Sequence, residues 1–363
     1  MTPTSAVGTR SWQYVARRNV VKRLESPPET VLRPRRPYAN GWFVLGSSKD
    51  VAPGKIRTYR FVGEDVVVFR TRKGILRASG AYCPHLGAHL GYGGRVDGEC
   101  VVCPFHGFAY DTTGACVRTG YGTPPPKAAL SLHTVREVNG FILIWYHAEG
   151  AEPTWEIPPL PDDFPAQRRH DVRLREHPQE VTENLVDLGH FLHVHNFSAI
   201  AQVRPMEIDG PHLRYEFEGV NRTPRLFGIR ERLVADVYGL GYIAVHFTLP
   251  DLHIRGRAFA LSTPTDPTHV VYSYGASLMG PGGNGLPARL VTRLFVPFMM
   301  AISVPADYPM WNNKTFLEHP RLAKGDGPII AFRRWAKQFY SAETGSNGQA
   351  DAGSVRTETV QFD

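Results

Sequence analysis

Cysteine is scarce. The chain has four in 363 residues, and their spacing matches no disulfide framework. A disulfide-stapled secreted scaffold is therefore excluded, and a reducing cytoplasm is the expected setting. Long apolar runs are also missing. The longest, Leu294 to Val304, is broken by Pro297 and falls well short of the roughly 20 residues needed to span a bilayer. No glycine-rich nicotinamide or flavin fingerprint occurs. A general basic surplus is absent as well. The formal net charge is +7, but residues 1–36 hold eight Lys and Arg against Glu25 and Glu29, and the rest is near neutral. That distribution gives no support for nucleic-acid binding. The arm could meet an acidic partner or an anionic membrane surface, or simply be solvated. It contains Arg17-Arg18-Asn19-Val20-Val21-Lys22, which looks like a twin-arginine export signal, but the apolar segment such a signal requires is missing.

What the chain does have is Cys83-Pro84-His85 and, seventeen residues on, Cys103-Pro104-Phe105-His106. Two thiols and two imidazoles in two short loops make a four-donor site. Zinc accepts that donor set, but its usual finger places two Cys before two His. Here each loop supplies one of each, which suits a [2Fe-2S] cluster with two Cys on one iron and two His on the other, the Rieske arrangement. Neutral imidazoles make such a cluster less negative and easier to reduce. Cys100 and Cys116 lie outside the pattern and read as small core residues.

The length is enough for two cores. Trp12 to Leu24 has loose amphipathic spacing, and a proline-rich stretch links it to the body. From about Gly41 the pattern is short β-rich runs separated by turn residues, giving an antiparallel β domain over 37–147 with both donor loops at one tip. Residues 148–165 are rich in Pro, Glu and Asp and read as a linker. Strands resume at Asp171 and are interrupted by helical spacing from Val181 to His195. Leu286 to about Phe316 reads as proline-interrupted helix, and Pro328 to Tyr340 as a second helical stretch. A catalytic domain over 166–341 follows, and 342–363 reads as a disordered tail.

The second dense cluster is Glu183-Asn184-Leu-Val-Asp187-Leu-Gly-His190-Phe-Leu-His193-Val-His195. Asn184, Asp187 and His190 are three apart, which places them on one helix face. His195 lies five residues past His190, about 140° around an ideal helix, so the helix must bend or end for both rings to reach one metal. His193 competes with His195 for that role.

The two donor loops and the second cluster resemble the Rieske non-heme iron oxygenases. Asn184, Asp187, His190 and His195 match the N-x-x-D-x-x-H-x4-H signature of that family's mononuclear iron. The resemblance implies that His190 and His195 belong to a 2-His-1-carboxylate triad with open positions for O2. Ala306-Asp307-Tyr-Pro-Met-Trp311-Asn-Asn-Lys314 and Asp326 to Tyr340 are similar to the C-terminal region of the cholesterol 7-desaturases and the 3-ketosteroid 9α-hydroxylase oxygenase components. That likeness points to Asp307 as the carboxylate, with Asp187 as the alternative. The implied fold is α+β: a Rieske β domain, then a helix-grip (START-like) catalytic domain whose curved antiparallel sheet wraps a long helix. The implied assembly is a head-to-tail homotrimer in which His106 of one chain meets Asp187 of the next, and Asp187 contacts His190. The implied partners are a ferredoxin or flavin reductase, O2 and a hydrophobic substrate such as a steroid, sterol or terpenoid. An aromatic-ring or O-demethylating oxygenase is the alternative within the class. An electron-transfer protein without oxygenase chemistry is the alternative outside it. Metal at the second cluster separates these.

Overall fold

A computed structural model of the protein describes residues 36–165, 167–222, 228–294 and 296–341. The amphipathic stretch Trp12–Leu24, nearly all of the basic arm and the tail 342–363 lie outside the described residues.

The N-terminal half is built from short antiparallel strands. β1 (Gly41–Ser47), β2 (Ile56–Phe61), β3 (Glu64–Arg70) and β4 (Leu76–Gly80) come first. β5 (Arg95–Asp97), β6 (Cys100–Val102), β7 (Ala109–Tyr110) and β8 (Cys116–Arg118) form a small sheet of their own. β9 (Leu132–His133) joins β2-β3-β4 at its edge, and β11 (Phe141–Tyr146) pairs with β1 on one side and β10 (Val135–Val138) on the other. The β3 segment Val66-Val67-Val68-Phe69 is buried on both faces. Its even members face one core and its odd members another, so an uninterrupted β-branched run serves two layers at once.

The C-terminal half is one antiparallel sheet of eight strands. They are β12 (His170–Leu174), β13 (Phe197–Gln202), β14 (Glu207–Asp209), β15 (His212–Asn221), β16 (Ile229–Tyr238), β17 (Tyr242–Leu249), β18 (Ile254–Asp266) and β19 (His269–Met279). The order is β12-β19-β18-β17-β16-β15-β13, with β14 on β15. Helices α1 (Pro178–Glu183) and α2 (Leu188–His193) interrupt the strand run. α3 (Leu286–Leu294), α4 (Val296–Ser303), α5 (Tyr308–Asn313) and α6 (Ile329–Ala336) follow it. On β15 alternate residues Leu213, Tyr215 and Phe217 are fully buried and pack against Phe332 and Trp335 of α6. The helix packed on this sheet is thus short, eight residues, where the resemblance implied a long one.

The two halves share one core. Phe43, Phe61, Val66 and Ile144 from the first cluster with Tyr215, Val237 and Phe332 from the second. Backbone bonds cross the same boundary: Asn40 N–H to Phe339 O at 2.7 Å and Val62 N–H to Pro264 O at 2.9 Å. The stretch 148–165 has no helix or strand, but it is not a loose tether. Trp42 and Trp145 each donate an indole N–H to its carbonyls, at Trp155 (2.8 Å) and Ala151 (2.7 Å), because a buried indole requires an acceptor.

Leu286–Asn313 is long and apolar enough to cross a membrane by length and composition, more than its broken apolar run implied. Its C-terminal part belongs to the folded domain, because Tyr308 and Trp311 are buried with Leu174, Val270 and Tyr272.

A shared core should unfold as one unit. Phe332→Ala removes a fully buried ring and is expected to cost roughly 3–5 kcal/mol. It should lower the urea midpoint of the cluster's visible signal and of far-UV dichroism together. Ile330→Ala, on the exposed side of the same helix, should move neither appreciably.

Candidate metal centres

The first donor set sits on two loops. Cys83 and His85 follow β4, and Cys103 and His106 join β6 to β7. In each loop a glycine amide closes a turn on the cysteine carbonyl: Gly87 N–H to Cys83 O at 2.9 Å and Gly107 N–H to Cys103 O at 3.2 Å. Both thiols are buried and free, while the two imidazoles lie edge to face with centroids 4.8 Å apart. Phe108 stacks on His85 at 4.2 Å. The Nδ1 of His106 is buried and has no hydrogen-bond partner. A nitrogen lone pair in that state needs a metal or a proton donor, so the residues fit a Rieske cluster. Burial pushes the Cys103 thiol up, while the backbone amides of Phe105 and His106 pull it down. Those amides are the donors that would stabilise sulfur charge. Cys116 is a buried core residue, while Cys100 is only half-buried.

The second set is built by α1, α2 and the segment before α5. The three-residue spacing does not ride on one helix. α1 ends at Glu183 with Asn184 as its C-cap, and α2 begins after Asp187 as its N-cap. The chain turns between them, and so Asn184 and His190 approach one another from different helices. α2 ends at His193, and His195 swings inward just before β13. His193 faces solvent.

His190, His195 and Asp307 each offer a ligand atom within 4.8 Å of the others. His195 Nε2 is 3.1 Å from Asp307 Oδ1. The two imidazole centroids are 5.0 Å apart, nearly perpendicular. Asn184 Nδ2 lies 3.1 Å from His190 Nε2 and also bonds the Asp307 carboxylate. Asp187 acts through two different atoms. Its Oδ1 accepts from the His190 backbone N–H at 3.3 Å, and its backbone carbonyl accepts from His190 Nδ1–H. The expected contact with His190 is present, but the ring is held by the carbonyl rather than the carboxylate. That bond fixes the tautomer and turns the Nε2 lone pair toward Asp307 and His195.

The supports explain the rest of the motif. Glu183 grips Arg333 of α6 bidentately at 2.6 and 2.7 Å, which clamps α1 to the core helix. Trp311 anchors α5 against Tyr272, and Lys314 reaches Glu180 of α1 at 3.5 Å. Asp307 is thereby fixed opposite α2.

Electrostatics separates the two histidines. Burial is the largest influence on both and opposes their charge. For His190 it prevails and the pKa falls. For His195 the charge and hydrogen bond of Asp307 outweigh it and the pKa rises. Burial also pushes Asp307 up, but His195, His190 and Asn184 together hold its carboxyl below the usual range. An ionised buried carboxylate beside two imidazoles is a donor set for a divalent cation, with His195 standing in for the missing charge.

The comparisons with known proteins agree with both centres. Residues 41–132 match the Rieske [2Fe-2S] domain, and residues 144–340 match the 3-ketosteroid 9α-hydroxylase C-terminal domain. This chain is a Rieske oxygenase. Its relatives place it in the branch of the cholesterol 7-desaturases and 3-ketosteroid 9α-hydroxylase oxygenase components. It is 32% identical to cholesterol 7-desaturase nvd of Drosophila melanogaster over 358 residues, covering 90% of this chain and 78% of that one. It is 31% identical to cholesterol 7-desaturase nvd 1 of Ciona intestinalis, over 84% of this chain and 69% of that one. A probable 3-ketosteroid-9-alpha-monooxygenase oxygenase component of Rhodococcus rhodochrous is 27% identical over 87% of this chain and 81% of that one. Among solved structures, dicamba monooxygenase bound to dicamba shares the fold at TM-score 0.60 and 18% identity, over 83% of this chain and 97% of that one. The oxygenase therefore uses O2, a Rieske cluster and non-heme iron, and takes electrons from a separate ferredoxin or reductase. The electron-carrier reading is set aside.

Two neighbours of these centres escape sequence reading. Tyr110 places its hydroxyl 3.0 Å from Cys83 Sγ. Glu231, bonded by Asn221 at 3.0 Å, is a half-buried residue whose carboxyl lies beside His195 and is pushed up to about 7, chiefly by desolvation. Neither carries a motif. Each is delivered by strand register.

His190→Ala, His195→Ala and Asp307→Ala are each expected to remove about one of about three irons per chain while keeping the visible cluster spectrum. His193→Ala should keep all of them. Iron analysis with absorption spectra checks this.

Gly120 gives a complementary test. A Cβ there would lie 2.2 Å from the His106 carbonyl oxygen, so Gly120→Ala should displace the second cluster loop. Most visible absorbance should be lost, with the triad's iron retained.

Proposed function

We propose that this oxygenase acts on a hydrophobic polycycle, a steroid, sterol or terpenoid, by hydroxylation, desaturation or oxidative demethylation. The observation that carries the reading is similarity to sterol and steroid enzymes over 84 to 90% of the chain. The surroundings of the triad support it. Phe191 packs against both His190 and His195 and contacts Phe197 and Phe217, the latter two with centroids 5.5 and 4.9 Å away. Such an apolar wall suits an uncharged substrate.

The roles of the chain's own residues follow from the geometry. His190, His195 and Asp307 would hold Fe(II), and the two Cys-His loops the [2Fe-2S] cluster. When bound, these groups supply reductive activation of O2 with electrons delivered one at a time. Three protein donors leave further positions for oxygen and substrate. Asn184 orients both His190 and Asp307. The Asp187 carbonyl keeps the proton on His190 Nδ1. The rings beside His195 exclude water from the oxidising centre.

The same reading makes the assembly a head-to-tail homotrimer. Supporting it, Tyr82, Leu86, Tyr92, Phe105 and Tyr121 form an exposed apolar rim around the cluster loops, a surface that asks for a cover. Asp187 is half-buried, and its Oδ1 caps α2. Its second oxygen takes no described partner and suits an imidazole N–H from a neighbour's His106. We place the protein in the cytoplasm, on its four free cysteines.

The substrate class is tested by co-expression with a ferredoxin and reductase and feeding of sterols, steroids, terpenoids and aromatic acids. An oxidised polycycle is expected in the extract. Turnover of aromatic acids alone would contradict the proposal.

The assembly is tested by mixing inactive Asp187→Asn and His106→Ala chains. Mixed trimers each contain an intact pair across one boundary, so partial activity should return. Mixed trimers seen by native mass spectrometry without activity would contradict transfer between chains.

A further inference from the structure

α3 is turned inside out. Its buried side is small and polar: Thr292 is buried, and its hydroxyl bonds the backbone N–H and carbonyl of Leu278 on β19, at 3.0 and 3.3 Å. Leu286, Leu290 and Leu294, four apart and so on one face, are 80, 53 and 66% exposed. Val291 is exposed beside them. On a water-facing helix the apolar stripe belongs against the core. Here the stripe faces away from it. Arg289 and Arg293 flank it, both exposed, and neither has an acidic partner among the described residues. A second element continues the surface. The turn between β17 and β18 exposes Leu252, and the adjacent Arg255, opposite Met279 in register, is exposed and likewise without an acidic partner among the described residues. Asp251 in that turn is occupied by Arg230.

The strand register shows which end of the molecule this is. His195 precedes β13, whose first residue, Phe197, pairs with Asn221 at the end of β15. Asn221 pairs with Ile229, the first residue of β16. The end of β17 pairs with the start of β18, and Arg255 with Met279 at the end of β19. The iron triad, the β17–β18 turn and α3 therefore share one end of the sheet.

We propose that this end docks on the surface of an anionic phospholipid bilayer. Leu286, Leu290, Leu294 and Leu252 enter the boundary between headgroups and acyl chains, and Arg289, Arg293 and Arg255 sit at the phosphates. An apolar stripe flanked by unpaired cations is the composition of a helix that lies in that interface. Charge complementarity favours this occupant over the same face of a second copy, which would bring arginine against arginine, and the head-to-tail contact proposed above is made by the cluster rim and Asp187 instead. The proposal rests on surface chemistry and not on the substrate reading, so either can fail without the other.

The test uses full-length holoprotein without substrate. Vesicles of phosphatidylcholine and phosphatidylglycerol in equal parts should sediment the protein, and pure phosphatidylcholine should bind it more weakly. The double variant Leu290→Gln/Leu294→Gln should bind at least about tenfold more weakly, with iron content and cluster spectrum unchanged. Arg289→Gln/Arg293→Gln should lose the preference for phosphatidylglycerol. Hydrogen exchange of the unaltered protein, which needs no variant to fold, should show vesicle-dependent protection over 286–294 and 250–255. Protection confined to residues 1–36 would overturn the proposal, because the basic arm would then be the anchor. Failure of the unaltered protein to bind vesicles would overturn it too. So would a double variant that changes only the oligomeric state, because α3 would then be covered by another copy.

Discussion

Asp307 is a carboxylate buried among aromatic side chains and held ionised by two imidazoles and an amide. A buried charge is tolerated only when paired, and the partner found here, His195, is itself a metal ligand by type. The arrangement stores an unmet demand for a cation. The clamp of Glu183 on Arg333, the anchoring of Trp311 and the break between α1 and α2 all bring three donors from distant parts of the chain to one point.

The second constraint is the shared core. The Rieske half is not tethered to the catalytic half but packed into it through Phe43, Phe61, Tyr215 and Phe332. A tip carrying two half-exposed imidazoles is therefore held at a fixed orientation, ringed by aromatic side chains that water covers poorly. Rigid placement suits electron transfer across a defined contact, and an electron carrier on a flexible arm would require a different construction.

The sequence makes the cluster ligands legible because all four lie in two short segments. His190 and His195 are legible for the same reason. Asp307 is not: it stands more than a hundred residues from the histidines with no local pattern, and only the resemblance of the surrounding Trp311 and Lys314 segment singles it out. The helical reading of Asn184 to His190 had the spacing right and the element wrong, because a three-residue period also fits a turn flanked by two helix termini. Tyr110 and Glu231 come from strand register, which no single segment encodes. The outward stripe of α3 is the opposite case. Its i, i+4 leucines are plain in the sequence, but their period says only that a stripe exists, not which way it points.

The central claim is that two iron centres occupy these two donor sets. Anomalous difference maps collected at the iron absorption edge, on crystals of anaerobically prepared protein, test it most directly. The account predicts two peaks per chain, one enclosed by Cys83, His85, Cys103 and His106 and one between His190, His195 and Asp307. A signal in either place that appears only above the zinc edge, or a mononuclear iron coordinated by His193 with Asp307 left aside, would contradict it.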